Sequence, residues 1–469
     1  MKINVVHRYE KLLPADDDHP YRTGAWQPNL VEYDAEDLDV IEGAIPTDLA
    51  GTYLRNTENP LLPAIGRYHP FDGDGMLHAI RFAGGRASYR NRMVRTTGLA
   101  QELAAGAPQW AGIIEAPAKS LRPGTGARGG MKDASSTDVV VHAGRALTSF
   151  YQCGELYAHD PHTLEPAGTL PWVERLGFGA SAHPKLDEQT GELIVFGYGT
   201  TAPYLRLGIV SAAGELVRTQ DVPLPGPRLP HDIAFTEHYA IVGDFPLFWD
   251  PELLATGVYR PRWHPHLPTR LGVVPRAGGE VRWFEAAPTY VLHFINAFED
   301  GDSIVVDGYF QTDPMPRPDP ADGPWAGLKK LVDLGAVGAR PHRWRLDLAT
   351  GLLREERLFD VVSEFPSIDG RIGGRRHSVA YAMTAKPGWF LFDGIVRFDL
   401  ESGDVQRFRW PDGVYGSEAP LGNGYLMSFV TTGECHIFDE RHIDAGPIAR
   451  VRLPERICAG THACWSADL

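Results

Sequence analysis

Short strand-like runs alternate with tight turns along the whole chain. In seven places, two runs rich in β-branched and aromatic residues flank a turn that contains glycine, proline or acidic residues. These predicted hairpins span residues 81–90, 159–170, 186–198, 210–222, 276–286, 346–359 and 398–410. Hairpins spread this widely without a tight repeat predict a β-propeller with long insertions. A large β-sandwich or two separate β domains are the alternatives.

Helical periodicity is confined to three segments, at residues 36–46, 94–107 and 324–339. In the third segment, charged residues separate apolar residues at near-helical spacing, namely Leu328, Leu331, Val332, Leu334 and Val337. We expect this segment to be a helix packed on the body of the protein. The alternative is the lip of a hydrophobic tunnel that makes peripheral contact with a membrane.

Composition narrows the class of protein. The chain has 51 glycines and 38 prolines among 469 residues. Their combined share exceeds the usual share of roughly 12%, which agrees with many turns. No shift in composition marks a boundary, so we expect one domain over residues 1–469, with about the first 30 residues as an arm. The net charge of −15 argues against nucleic acid as a partner, because phosphate binding needs basic clusters.

We expect neither a secretory signal nor a membrane-spanning helix in this sequence. Its N-terminal stretch lacks the apolar segment of a secretory signal, and no long uncharged apolar run predicts a membrane-spanning helix. The four cysteines are sparse and form no Cys-x-x-Cys pair. A reduced, cytoplasmic setting is therefore expected, and we expect a monomer.

Four of the 18 histidines lie within or at the mouth of a predicted strand: His183, His231, His293 and His462. Propeller strands converge on a central axis, so these residues can meet although they are far apart in sequence. Neutral imidazole is a good ligand for Fe, Cu, Ni or Zn. The alternative is that they are core or strand-end histidines with backbone partners.

Eight runs of sequence stand in a specific order from about residue 30 to the end. They are YLRNTENP (53–60), FDGDGMLHAIRF (71–82), AHPKLDEQTGEL (182–193), HDIAFTEHYAI (231–241), LHFINAFED (292–300), EFPSIDGR (364–371), GSEAP (416–420) and THACW (461–465). Together they resemble the carotenoid cleavage oxygenase family, which includes apocarotenoid, stilbene and phenylpropenoid (isoeugenol-type) oxygenases and the retinoid isomerase of the eye. The resemblance implies a seven-bladed β-propeller capped by helices and loops. It also implies one axial Fe(II) per chain that cleaves a C=C bond with O2 into two carbonyl products.

The resemblance also assigns roles to individual residues. The four histidines named above would be the iron ligands. Glu364 would orient His293, Glu418 would orient His462, and Thr137 would stand close to the open iron positions. In metal sites generally, carboxylates that hold the second ring nitrogen of a histidine fix its tautomer and raise its basicity.

One expected glutamate is missing. In the family, a third glutamate follows the strand that contains Asn-Thr-Asn-Val, and the matching stretch here begins SSTDVVV. Counting forward from Thr137 places Tyr151 at the glutamate position, whereas counting back from Tyr157 places Gln152 there. Either side chain offers His231 a neutral partner instead of a carboxylate, which would donate less electron density through the imidazole.

The phenol-binding lysine of the stilbene and phenylpropenoid branches is also absent, because the matching position is Phe150. This substitution favours an apocarotenoid or another apolar polyene as substrate. A stilbene or phenylpropenoid is the alternative, with Lys132 as the phenol contact. Candidate residues for an aromatic tunnel wall are Phe150, Tyr68, Phe71, Trp110 and Phe294.

Three other functions stay open on the sequence alone. Propellers also hold Ca²⁺ through axial oxygen ligands in hydrolases and lactonases, but this sequence offers histidines at the strand ends. A non-catalytic carotenoid-binding propeller would hold no iron or would not turn over. An isomerase within the same family is not separable from an oxygenase by these motifs.

Overall fold

Strands form most of the regular structure. The computed structural model of the protein describes residues 1–124, 131–331 and 333–467. The first strands are β1 (Lys2–Arg8), β2 (Val31–Glu36), β3 (Val40–Gly43), β4 (Gly51–Asn59), β5 (Asp74–Ala83), β6 (Arg86–Met93), β7 (Asp138–His142), β8 (Arg145–Ser149), β9 (Tyr157–His159), β10 (Pro166–Thr169) and β11 (Lys185–Asp187). There follow β12 (Glu192–Tyr198), β13 (Leu205–Val210), β14 (Leu216–Asp221), β15 (Ile233–Phe235), β16 (Tyr239–Asp244), β17 (Leu247–Trp249), β18 (Pro261–Trp263), β19 (Thr269–Pro275), β20 (Arg282–Ala286), β21 (Phe294–Asp300) and β22 (Ser303–Phe310). The last are β23 (Arg340–Asp347), β24 (Leu353–Arg357), β25 (Glu364–Ser367), β26 (Val379–Ala385), β27 (Phe392–Asp399), β28 (Val405–Arg409), β29 (Leu421–Gly422), β30 (Tyr425–Val430), β31 (Glu434–Asp439), β32 (Ala449–Arg452) and β33 (Ala463–Ala467).

Within these ranges, the strands form the seven blades of a β-propeller, as the family resemblance implied. The strand orders are β33-β4-β5-β6-β2-β1, β7-β8-β9-β10, β11-β12-β13-β14, β15-β16-β19-β20, β21-β22-β23-β24, β25-β26-β27-β28 and β29-β30-β31-β32-β3. Strands β17 and β18 form a separate hairpin inserted into the fourth blade. All strand pairs in the seven sheets are antiparallel, and the first strand in each of these orders is the one that borders the axis.

Two pairings close the ring. Strand β33 pairs with β4, with Ala463 opposite Arg55, although more than 400 residues separate them in sequence. Strand β3 pairs with β32 and so completes the seventh blade from the other end of the chain. The strand β1 lies within the expected N-terminal arm and adds to the outer edge of the first blade through β2.

The seven predicted hairpins are confirmed. Each connects two neighbouring antiparallel strands of one blade, from β5–β6 to β27–β28. In the third blade the middle strands are more buried than the strand at the outer edge. Strand β12 is almost wholly buried, whereas β14 is mostly exposed, because inner strands are covered by neighbouring blades on both faces.

The helix predictions are only partly right. Helix α1 (Thr97–Ala105) lies within 94–107, whereas the helix expected over 36–46 is wrong, because that stretch holds β3 and its pairing with β32 imposes extended backbone. The single helix expected over 324–339 is replaced by two short ones. Helix α2 is Pro251–Ala255, α3 is Ala326–Leu331 and α4 is Leu334–Val337, and short 3-10 helices occur at Gly24–Trp26, Pro70–Asp72, Pro117–Lys119, Pro171–Leu176, Pro320–Asp322, Gly370–Ile372 and Ile443–Ala445.

The break between α3 and α4 has a local cause. The carboxylate of Asp333 accepts hydrogen bonds from the backbone N–H groups of Gly335 and Ala336, so it begins a new helix instead of continuing the old one. Val332, one of the residues in the predicted apolar face, lies outside the described residues. No helix in the described part of the chain has the length and apolar content that crossing a bilayer requires.

Candidate metal centre

The candidate site residues stand at equivalent places in successive blades. Each lies at or shortly before the first residue of a strand that borders the propeller axis. Thr137 precedes β7, His183 precedes β11, His231 precedes β15, His293 precedes β21, Glu364 begins β25, Glu418 precedes β29 and His462 precedes β33. The regular meander of the blades thus carries residues from the whole chain to one axial point.

The four histidines do lie together there. All are buried, and their nitrogen ligand atoms lie within 4.8 Å of one another. The Nε2 atoms of His183 and His231 are 3.1 Å apart. Two nitrogens that bind one divalent ion at about 2.1 Å and at right angles would be about 3.0 Å apart. The spacing therefore suits two neighbouring ligands of one ion.

The ring of His293 lies closer to its carboxylate than the rings of His183 and His462 lie to theirs. Its Nδ1 lies 2.6 Å from Oε2 of Glu364, whose carboxylate is fully buried and also accepts the backbone N–H of Phe365. A proton on Nδ1 leaves the lone pair on Nε2. That Nε2 atom is buried and has no hydrogen-bond partner in the described residues. The unpartnered lone pair fits a bound metal ion.

His462 has a similar but looser arrangement. Its Nδ1 lies 3.4 Å from Oε2 of Glu418, and the same oxygen accepts the backbone N–H of Ala463 at 2.6 Å. The carboxylate is thus fixed by the first residue of β33. Both carboxylates expected from the family resemblance lie beside the expected histidines.

A third carboxylate was missed by the sequence reasoning. Oδ2 of Asp138 lies 3.4 Å from Nδ1 of His183 and accepts the backbone N–H of His183 at 3.2 Å. His183 has a left-handed backbone conformation, with φ of +64°, which is strained for a residue with a side chain. The signal was in the sequence, since Asp138 stands where the family motif has its second asparagine.

Gln152 does not replace the missing glutamate by a hydrogen bond to His231, whereas Tyr151 contacts the ring of His231. The ring of Tyr151 packs against that of His231 at a centroid distance of 5.7 Å. Gln152 is buried, and its Oε1 has no hydrogen-bond partner within the described ranges. Thr137 is buried nearby, and its hydroxyl oxygen accepts the backbone N–H of Tyr151 at 3.2 Å.

Burial sets the protonation of the imidazoles. It lowers the pKa of His231 to about 3 and the pKa values of His183 and His293 well below their usual range. Burial alone would also lower the pKa of His462, but the carboxylates of Glu418 and Asp138 outweigh it and raise that pKa. Three of the imidazoles are therefore neutral at pH 7, the form that binds metals.

A cavity of about 250 Å³ opens beside the histidines, and His231 forms part of its wall. Its lining is largely apolar and aromatic and includes Phe71, Leu229, Trp249, Tyr290, Leu292 and Phe390. Leu334 and Val337 of α4 also line it, so the segment 324–339 faces inward at this point. His69, Gln152 and Gln311 contribute polar groups.

Of the five aromatic residues expected to line a tunnel, Phe71 lines this cavity. Phe150 and Trp110 instead border a much smaller pocket behind Phe71. Tyr68 is buried in the core beside His19, and Phe294 packs against Phe245. Sequence gives the order of these side chains but not the direction in which each one points.

Lys132 borders the small pocket and not the main cavity. Its ammonium lies 2.6 Å from Oδ1 of Asp74 and 2.6 Å from Oε2 of Glu102. Two buried carboxylates thus hold the only cation that the sequence offered as a phenol contact.

Comparison with known proteins agrees with this geometry. The family model described as retinal pigment epithelial membrane protein, the carotenoid oxygenase family, matches residues 26–467. The chain belongs to this family. Among its relatives is carotenoid 9,10(9',10')-cleavage dioxygenase 1 of Phaseolus vulgaris, which is 29% identical over an alignment covering 100% of this chain and 92% of that protein. Isoeugenol monooxygenase of Pseudomonas nitroreducens is 28% identical over 95% of this chain and 98% of that protein.

The structural likeness within the carotenoid oxygenase family is close. The crystal structure of lignostilbene dioxygenase from Pseudomonas brassicacearum superposes with a TM-score of 0.84 and 26% identity, covering 96% of this chain and 99% of that one. These relatives are oxygenases by name, and the four-histidine group at the axis could hold a metal ion.

Proposed function

We propose that the protein is an Fe(II)-dependent oxygenase that cleaves a C=C bond of a conjugated alkene with O2 into two carbonyl products. The observation that carries this proposal is the convergence of four buried histidines beside an apolar cavity. Imidazole ligands suit iron, and relatives named for the cleavage of carotenoids and lignostilbenes support the reaction class. One Fe(II) per chain would supply the activation of O2.

The residues of the chain would supply position and environment. His183, His231, His293 and His462 would hold the ion, with Asp138, Glu364 and Glu418 fixing three of the rings. The apolar cavity would exclude water and hold one double bond of the substrate next to the site. Thr137, fixed by its hydrogen bond from Tyr151, would limit the space beside the ion.

The preferred substrate class is an apolar conjugated alkene such as an apocarotenoid. The largely apolar wall of the cavity supports this choice. A phenolic stilbene or phenylpropenoid is the second candidate, supported by the isoeugenol and lignostilbene relatives. A cytoplasmic monomer, and any membrane contact of residues 324–339, stay predictions.

Product analysis under ¹⁸O2 tests the proposal. Iron-loaded protein is incubated with β-apo-carotenals, hydroxystilbenes and isoeugenol, and carbonyl products are identified by mass spectrometry. We expect ¹⁸O in the carbonyl groups of products from at least one alkene class. His293→Ala should abolish both iron binding and products, whereas the control His436→Ala removes a buried imidazole that contacts Trp410 and Glu434 instead. Iron at one per chain without any product would contradict the proposal.

A further inference from the structure

Besides the Gln152 amide oxygen, two polar groups in the wall of the cavity make no hydrogen bond to any described residue. The first is Gln311, which is 4% exposed and lines the cavity. Its backbone is fully engaged, because its N–H donates to the hydroxyl of Thr289 at 2.9 Å and its carbonyl accepts from that hydroxyl at 3.0 Å. Its side-chain amide makes no hydrogen bond to any residue of the described ranges.

The second is Nε2 of His69, a residue that is 5% exposed and lines the same cavity. His69 begins the 3-10 helix Pro70–Asp72, and its Nδ1 accepts the backbone N–H of Phe71 at 3.2 Å. Burial lowers its pKa to about 3, so the ring is neutral at pH 7. An acceptor at Nδ1 leaves the single ring proton on Nε2, which is therefore a donor with a fixed tautomer.

Buried polar groups without partners are rare in native proteins, because an amide loses its water on burial and regains nothing. The exceptions call for a ligand or a bound water. Two such groups in the wall of one largely apolar cavity indicate that its occupant brings oxygen atoms with it.

We propose that Gln311 and His69 bind neutral oxygen substituents of the substrate, so that the cavity selects an oxygenated conjugated alkene over the corresponding hydrocarbon. This inference rests on the proposed function and names its substrate class more closely. The Nε2–H of His69 donates to a hydroxyl, methoxyl or carbonyl oxygen. The amide of Gln311 serves a hydroxyl in both directions, as acceptor through Oε1 and as donor through Nε2.

Anaerobic binding to the iron-loaded protein tests this, because no turnover occurs without O2. Quenching of tryptophan fluorescence, with Trp249 in the cavity wall, gives Kd for trans-stilbene, 4-hydroxystilbene and 4-methoxystilbene. We expect the two oxygenated compounds to bind more tightly than stilbene. Gln311→Leu should raise the Kd for 4-hydroxystilbene about five- to tenfold, which is the effect of one lost hydrogen bond. The Kd for stilbene should not change. His69→Phe should raise the Kd for both oxygenated compounds.

A stability comparison supplies a readout that is independent of any substrate. Gln311→Leu replaces an unpartnered amide and should leave the melting temperature unchanged or raise it. Gln109 is the matched control, because its amide donates to the carbonyls of Ala107 and Pro108 and accepts from Arg122. Gln109→Leu should lower the melting temperature.

Equal Kd values for the three compounds in the wild type would overturn the inference. It would also be overturned if both variants lost affinity for stilbene and for 4-hydroxystilbene to the same extent. Admission of O2 then separates the two proposals. Selective binding without cleavage would contradict the oxygenase, whereas cleavage without selectivity would contradict the role of Gln311 and His69.

Discussion

Oδ2 of Asp138 lies 3.4 Å from Nδ1 of His183 and 3.2 Å from its backbone nitrogen. One carboxylate oxygen thus contacts both the ring and the backbone of a residue whose φ is +64°. Asp138 occupies the place of a family asparagine, and the expected glutamate near His231 is absent. The chain therefore keeps three carboxylates around four imidazoles, but the third carboxylate contacts His183 and not His231.

Asp138→Ala tests this arrangement. We expect iron affinity to fall about 10- to 100-fold, because a ligand that loses the partner of its second nitrogen loses its orientation. Asp138→Asn keeps an acceptor oxygen and should cost less. Iron content after dialysis against graded chelator measures both. Equal iron affinity in Asp138→Ala and the wild type would remove Asp138 from the site.

The two glutamates should differ in their effect. Glu364 lies 2.6 Å from its histidine nitrogen, whereas Glu418 lies 3.4 Å from its own. We expect Glu364→Ala to lower iron affinity more than Glu418→Ala, because the shorter charge-assisted hydrogen bond restrains its ring more strongly. Chelator competition under anaerobic conditions gives the two affinities. The reverse order would mean that the oxygen–nitrogen distance does not govern the restraint.

Lys132→Met separates a structural lysine from a phenol contact. The variant leaves the carboxylates of Asp74 and Glu102 buried without their cation, so we expect the free energy of unfolding to fall by about 3–5 kcal/mol. The control is Lys119→Met, which removes an exposed partner of Glu115 and should cost less than about 1 kcal/mol. Denaturant unfolding measures both. A selective loss of phenolic substrates at normal stability would restore Lys132 as a substrate contact.

Removal of iron should destabilise the fold. An ion that binds only the folded protein at a free concentration 100 times its Kd adds about 2.7 kcal/mol to the free energy of unfolding. We expect iron-loaded protein to melt above the chelated protein, and His293→Ala to melt at one temperature in either condition. Scanning calorimetry with and without chelator measures the difference. An iron-dependent shift that persists in His293→Ala would contradict the assignment of that ligand.

Sequence reasoning succeeded where the signal was local. A turn pair between two alternating runs encodes a hairpin within about ten residues, and a histidine at the start of a strand is visible in the same window. It failed where direction mattered. Phe150 and Tyr151 are neighbours, yet Phe150 borders the small pocket and Tyr151 the main cavity. A shift of one residue moves a side chain to the opposite face of an extended chain. The sequence left such a shift open, because counting from Thr137 and counting from Tyr157 gave positions that differ by one residue.

Long-range pairing accounts for the other failure. Residues 36–46 showed helical periodicity, but Val40 and Glu42 within them pair with Val451 and Arg450 of β32, about 400 residues away. The sequence also does not show that α4 lines the cavity, because this depends on where the cavity lies and not on the helix itself.

The pairing of β33 with β4 places His462, the residue before β33, at the seam of the ring. The other three histidines belong to blades that hairpins can assemble locally, whereas this seam requires the closure of a loop of about 400 residues. The fourth ligand is therefore in place only when the propeller ring is closed. A form with an open ring would present three imidazoles, and the full affinity for the ion would require closure of the ring.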